Sequence, residues 1–448
     1  MTNDLTVGKV TPTLLKFTLP MFISVMFQQF YNLADSSIAG KFIGESALSA
    51  IGASYPITMI FMAICTGCNI GCTVVLSQLF GAKDIKRFKT GASTAIIFAI
   101  ILSAFLTVIA IIFSPLMLSA INTPKEIFAD AELYLNIYLG GFLFMFLYNI
   151  INGIFNAMGD SRTPLYFLIA SSVGNVVLDL LFVAVFGYGV GGAAVATLLA
   201  QGIACIGALA VLLYRLKGIK TERKPELFSG RMLATILFVA IPSALQSSFV
   251  SVGNLLIQSL INSCGENAIA GFASAFKLNT FFLTCIGTVA GAVAAFSAQN
   301  IGAMKYDRVK RGLTSGLLIG FAIASPFVLL YMVFGEPMLM IFLTDAEGKA
   351  LMIGMKFLII TSPFYLLITV KLVCDGVLKG SKSMVLFMIS TFTDLITRVV
   401  LSFILFEDYG INGIFASWPV GWIIGALLSA GFYLSGWWKR NLPKPLEN

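Results

Sequence analysis

The sequence predicts an all-α polytopic membrane protein, with twelve transmembrane helices in two six-helix bundles related by a pseudo-two-fold axis along the membrane normal. Three observations predict it. Hydrophobic residues make up 58% of the 448-residue chain and charged ones only 11%, and the mean hydropathy is +0.93. A soluble domain carries about 25% charged residues and could not cover a surface this apolar. Apolar runs of the roughly 20 residues that a spanning helix needs recur along the whole chain. The second half also repeats the landmarks of the first. The same composition excludes a disordered chain, and seven Cys in 448 residues exclude a disulfide-stapled secreted one. Histidine is absent, so a His-based zinc site and a Ser-His-Asp triad are excluded as well.

Twelve runs are expected to span. The first covers about 13–39. It follows some ten polar residues and is too long for the core of a cleavable signal peptide. It holds Pro20, which removes a backbone hydrogen bond and can act as a hinge. Its Gln28, Tyr31 and Asn32 share a helix face with Asp35. Span 2 (51–80) carries Cys65, Cys68 and Cys72 on one face, expected to be a packed structural stripe. Span 3 (90–118) carries no charged residue, and span 4 (130–158) has an amide stripe of Asn149, Asn152 and Asn156. Span 5 (163–186) places Asn175 and Asp179 one turn apart, and span 6 (192–214) does the same with Thr197 and Gln201.

A basic linker, 215–231, separates the N-terminal lobe (1–214) from the C-terminal lobe (232–448). Spans 7 (232–262), 8 (268–298) and 9 (311–334) follow, with Pro242 in the first and the solitary Lys277 in the second. Span 10 (350–378) contains Lys371, with Asp375 one turn later. Span 11 (384–406) contains Asp394 and Arg398, whose spacing of four suggests a mutual ion pair. Span 12 covers 411–437. Pro56, Pro164, Pro326, Pro363 and Pro419 are expected nearer span ends, in structural roles.

Charge sets the orientation. With both termini in the cytoplasm, 22 of the 29 Lys and Arg residues fall on the inner side, and only Lys41, Lys125, Lys349 and Lys356 on the outer one. These basic residues serve as topology markers and contacts to membrane lipid, so nucleic acid is not an expected partner. No GxxxxGK[ST] loop is present to bind ATP.

The repeat has an offset of about 221 residues. Pro20 pairs with Pro242 and Asn32 with Asn254, and Gly44-Glu45 pairs with Gly265-Glu266. Gln78 and Gly81 pair with Gln299 and Gly302, and Gly153 with Gly376. Six spans per half is even, so both halves point the same way, a layout suited to two bundles rocking about a central site. Charges inside spans are costly and are functional candidates by default. Asp35 and Asp179 lead, and a carboxylate is the natural protonatable group in a chain without His. The same carboxylates with Asn and Thr oxygens could instead hold Na⁺. No other cofactor is expected.

These residues resemble those of the multidrug and toxic compound extrusion (MATE) family, with the DinF-type bacterial branch and its Gram-positive multidrug members nearest. The matches are Pro20, Gln28, Tyr31 and Asp35 in span 1, Gln78 and Gly81 at the end of span 2, and Asn149, Asn152, Asn175, Asp179 and Thr197 in spans 4 to 6. The resemblance implies a secondary active efflux antiporter of a bacterial plasma membrane. It would be monomeric and not an enzyme. It would export amphipathic or cationic compounds in exchange for H⁺ or Na⁺. Asp35 and Asp179 would then be the coupling carboxylates. Gln28, Tyr31, Asn149, Asn152, Asn175 and Thr197 would support them, Pro20 would be the hinge, and Asp394 with Arg398 would form a polar group in the C-terminal lobe. NorM-type members carry acids where this chain has residues near Val250 and Ile368, which cannot bind a cation. A flippase for a lipid-linked saccharide is the alternative, but such proteins often carry several cavity arginines, and Arg398 is the only intramembrane Arg here.

Overall fold

Backbone amides in hydrocarbon must find partners within their own segment, so each apolar run folds as a helix. The computed structural model describes residues 4–43, 45–121, 123–221, 224–343, 348–440 and 442, without the side chains of 33–37, 39–41 and 45–48. The first half contains α1 (Val10–Phe42), α2 (Glu45–Gly81), α3 (Ile85–Ala120), α4 (Lys125–Gly140), α5 (Phe142–Ala157), α6 (Arg162–Asp179) and α7 (Gly189–Gly218). The second contains α8 (Gly230–Ser263), α9 (Glu266–Gly302), α10 (Tyr306–Leu339), α11 (Lys349–Thr361), α12 (Tyr365–Gly380), α13 (Met384–Tyr409) and α14 (Ile411–Leu434). Among the described residues, eleven helical segments are long and apolar enough to cross a membrane, or twelve with α4 and α5 taken as one span. The protein is a multi-pass membrane protein.

Several spans are broken where the sequence permits it. The fourth bends by 44° between α4 and α5, at Gly141. The tenth passes through a 3₁₀ turn, Ser362–Phe364, between α11 and α12. Pro363, expected near a span end, forms this mid-span break, because proline cannot continue the hydrogen-bond ladder. The fifth changes to a π-helical turn, Leu180–Val185, immediately after Asp179.

The chain divides into two compact units. Unit 1 is Met1–Asp4 with Leu19–Ala244, and unit 2 is Leu5–Thr18 with Leu245–Asn448. The cuts in α1 and α8 fall within three residues of Pro20 and Pro242, the matched prolines of the repeat. Each unit follows the same packing plan. In unit 1, α2 packs on α3, α4 and α5, and α6 packs on α7; in unit 2, α9 packs on α10, α11 and α12, and α13 on α14. Two glycines matched by the repeat sit at close contacts between these helices. A Cβ on Gly153 would meet the Asn69 carbonyl at 3.0 Å, and one on Gly376 the Ala290 carbonyl at 2.5 Å.

Each unit also anchors an extended strap. In unit 1 the amide of Glu226 donates to Thr90 Oγ1 (3.1 Å), that of Ser229 to Thr94 Oγ1 (3.0 Å), and Lys89 Nζ to the Ile219 carbonyl (2.6 Å). In unit 2 the strap is Leu5–Gly8, held by Gln299, Asn300, Lys305 and Arg308. At one end of unit 1, the buried Asp160 accepts from the backbone amides of Arg162 and Thr163 and pairs with Arg215. Burial alone would push the Asp160 carboxyl up, but the Thr163 bonds and the Arg215 guanidinium outweigh it and hold it below the usual carboxylate range.

Candidate functional site

The α6 helix sets the centre of the site. Asn175 and Asp179 are four residues apart, so both project from one face. They are 2% and 0% exposed. The helix gives way to the π turn at the next residue, and such turns are frequent at functional sites. An amide has two orientations, chosen by its hydrogen-bond partners. In the orientation that satisfies both ends, Asn175 Nδ2 donates to the Tyr31 hydroxyl and to Asp179 Oδ2, each at 3.1 Å, and Asn175 Oδ1 accepts from the Thr197 amide at 3.0 Å. The Thr197 hydroxyl turns back to the Ala193 carbonyl (3.1 Å).

Asn175 therefore ties three helices together: α1 through Tyr31, its own α6 through Asp179, and α7 through Thr197. Thr197 also lines a small pocket beside the α4–α5 break, with Tyr138, Gly141, Met145, Leu198 and Gln201. The exposed Gln28 lies almost one turn before Tyr31 on α1. Asp35 is one turn beyond Tyr31, and its side chain lies outside the described residues.

The α5 amides serve a different contact. Asn149 Nδ2 donates to the Met145 carbonyl (2.9 Å), while its own carbonyl accepts from Asn69 on α2 (2.7 Å). Asn152 stands beside Tyr148, whose hydroxyl donates to the Pro164 carbonyl (3.2 Å). Among the described bonds α5 is tied to α2 by the Asn69 amide and to α6 by the Tyr148 hydroxyl, and the side chains of Asn149 and Asn152 do not reach Asp179. Pro20 lies within α1, and Ser24 Oγ donates to its carbonyl at 2.9 Å.

In unit 2 the expected Asp394–Arg398 ion pair does not form. Asp394 Oδ2 instead faces Lys371 Nζ at 3.7 Å. Arg398 lies over the Trp418 ring (4.3 Å) and reaches Asn254 Oδ1 (3.5 Å). The reason is packing. Gly421 and Gly425 bring α14 against α13, and a Cβ on Gly425 would meet Lys371 Cε at 2.6 Å and Asp394 Cβ at 2.9 Å. That close approach leaves room for Lys371 beside Asp394, while the guanidinium finds the indole. Lys371 bridges both acids: Nζ also lies 3.0 Å from Asp375 Oδ2. Asp375 Oδ1 accepts from Ser429 (2.6 Å) and Ser390 (3.3 Å). The spacing of Lys371 and Asp375 was legible in the sequence; the link to Asp394 crosses between helices and was not.

Comparison with known proteins matches the same family model to both halves. The MatE model covers residues 20–181 and again 242–404, which reproduces the internal repeat. The chain is 27% identical over 442 residues to the probable multidrug resistance protein YoeA of Bacillus subtilis, covering 96% of this chain and 95% of that protein. It is 30% identical over 382 residues to the probable multidrug resistance protein YpnP of the same organism, covering 85% of each. Among solved structures, a MOP superfamily transporter from Pyrococcus furiosus superposes with a TM-score of 0.91 at 22% identity, covering 98% of this chain and 99% of that one. That likeness is one of fold.

Proposed function

Because the chain belongs to the MatE family, the multidrug and toxic compound extrusion transporters, we propose that it is a secondary active antiporter that exports amphipathic, often cationic organic compounds in exchange for H⁺ or Na⁺. The observation that carries this reading is the Tyr31–Asn175–Asp179–Thr197 network, with its fully buried carboxylate. A carboxylate in a spanning helix is expensive to keep ionised without a compensating charge. Binding a proton or Na⁺ at Asp179 removes that cost and changes what Asn175 can donate to. Because Asn175 also holds Tyr31 and Thr197, the change reaches α1 and α7. Asp35, one turn past Tyr31, is the second coupling carboxylate in this reading, and α1 bends at Pro20.

The membrane is a bacterial plasma membrane with both termini in the cytoplasm, as the distribution of Lys and Arg favours. The working form is a monomer, and the chain carries no enzymatic activity of its own. The test is transport in proteoliposomes. A fluorescent organic cation should be exchanged against an imposed pH or Na⁺ gradient, and Asp35→Asn and Asp179→Asn should each abolish exchange while the protein still folds. Undiminished gradient-driven exchange in both variants would overturn the assignment.

A further inference from the structure

Unit 2 contains a buried charge cluster that the proposed coupling site does not use. We propose that Lys371 is a tethered cation: its ammonium lies between the carboxylates of Asp375 and Asp394, the first of them backed by two hydroxyls, where a monovalent metal ion such as Na⁺ would otherwise be held. The oxygen set is the first support. Asp375, Asp394, Ser390 and Ser429 come from α12, α13 and α14, and all are buried. Ser390 and Ser429 both donate to Asp375 Oδ1, which leaves Asp375 Oδ2 to Lys371. Asp394 Oδ1 is buried without a hydrogen-bond partner. Hard oxygen donors of this kind suit a small hard cation.

Space is the second support. Lys371 is 3% exposed, and its stem runs through room that exists only because residue 425 lacks a side chain. Charge is the third. Lys371 and Arg398 balance Asp375 and Asp394. Without Lys371 the group carries a net negative charge inside a spanning bundle, where an uncompensated charge is strongly unfavourable. Lys379, one turn past Asp375 on α12, interacts with that carboxylate electrostatically but forms no ion pair with it among the described residues, and its ammonium lies over the Phe387 ring at 4.3 Å. A mobile cation at Lys371's position would restore neutrality, and Lys371 supplies that cation covalently. Unit 2 is then permanently in its cation-filled state. On the antiport reading proposed above, ion exchange is confined to the Asp179 network.

The test measures cation binding without transport. Lys371→Met is made in an Asp35→Asn, Asp179→Asn background, so that the first site contributes nothing, and is purified in NaCl and in choline chloride at equal ionic strength. The expected result is a melting temperature several degrees higher in NaCl, with stoichiometric binding of ²²Na⁺. The background protein with Lys371 intact, and Lys371→Arg in that background, should show neither. Adding Asp394→Asn to Lys371→Met should remove the response. Equal melting temperatures in the two salts, or aggregation of Lys371→Met in both, would overturn the proposal. Because no gradient is used, these results stand whether or not the protein proves to be an antiporter.

Discussion

Asn175 and Asp179 stand one turn apart on α6, and the amide of the first donates to the carboxylate of the second at 3.1 Å. The same amide nitrogen reaches the Tyr31 hydroxyl, also at 3.1 Å. One neutral side chain therefore sets the hydrogen bonds of the buried acid and of a tyrosine on another helix. Replacing it with Leu keeps the volume but removes the donors. Losing a donor to a buried polar group costs about 1–3 kcal/mol. Asn175→Leu is expected to lower the melting temperature by several degrees and to cut gradient-driven dye export at least tenfold. Export at the parent rate would show that Asn175 only packs.

Asp160 and Arg215 form a second, structural relationship. Asp160 is held below the ordinary carboxylate value of 3.8. Its contribution to stability is therefore complete above that value and is lost as pH falls through the lower folded-state value. Arg215→Ala leaves the buried carboxylate without its guanidinium. Breaking a fully buried pair costs about 3–5 kcal/mol, and partial exposure of Arg215 reduces this to about 2 kcal/mol. The measurement is melting temperature against pH for the parent and Asp160→Asn. The parent should be the more stable above about pH 4, and the gap should close below it. Parallel curves would remove Asp160 from the account.

Gly425 is where α14 comes closest to the Lys371–Asp394 pair. A methyl group there would sit 2.6 Å from Lys371 Cε and 2.9 Å from Asp394 Cβ. The lysine stem can bend, but Asp394 Cβ is fixed to its helix, so α13 and α14 must separate. Overpacking of this kind costs about 1–3 kcal/mol. Gly425→Ala should lower the melting temperature, whereas Gly431→Ala on the same helix, with open space at its Cβ position, should not. A melting temperature raised equally in both would indicate helix propensity and not packing.

What could be read from the sequence followed helical periodicity. Tyr31, Asn175, Asp179 and Thr197 were legible because spacings of three and four place side chains on one face. Those faces do meet, at a single amide. The repeat was legible from glycines, because Gly153 and Gly376 fill the same close contact in each unit. Lys371 with Asp394 was not legible, since their approach depends on Gly425 of a third helix. Nor did periodicity show that the Asn149 side chain would turn back to the Met145 carbonyl of its own helix, for a stripe of amides has the same spacing whether it lines a cavity or not. The break at Pro363 illustrates a further limit. Hydropathy runs smoothly through it, and only the lost backbone donor marks the change to a 3₁₀ turn.

Arg308 provides a last test, at the strap of unit 2. Its Nη1 donates to the Gly8 carbonyl at 2.7 Å, and its Nη2 to the Leu5 and Val7 carbonyls, both at 3.1 Å. Its Nε donates to Asn300 Oδ1 (2.9 Å), and Asn300 in turn donates to the Leu5 carbonyl (3.2 Å). One planar guanidinium thus fixes three carbonyls that no helix satisfies, a geometry a lysine cannot reproduce. Hydrogen bonds from charged groups contribute about 1.5–3 kcal/mol each when protected from water, and less here because part of the strap is exposed. Both Arg308→Lys and Arg308→Ala are expected to loosen Leu5–Gly8 while leaving α9 and α10 intact. Hydrogen exchange at the Leu5 amide, which donates to Gln299 Oε1, should accelerate at least tenfold, equivalent to about 1.4 kcal/mol of lost protection. Lys310→Ala removes only an exposed pair to Asp307 at 3.6 Å and should leave that amide unchanged. Unaltered exchange in Arg308→Ala would show that the strap is held by the buried Leu5 side chain and not by the arginine.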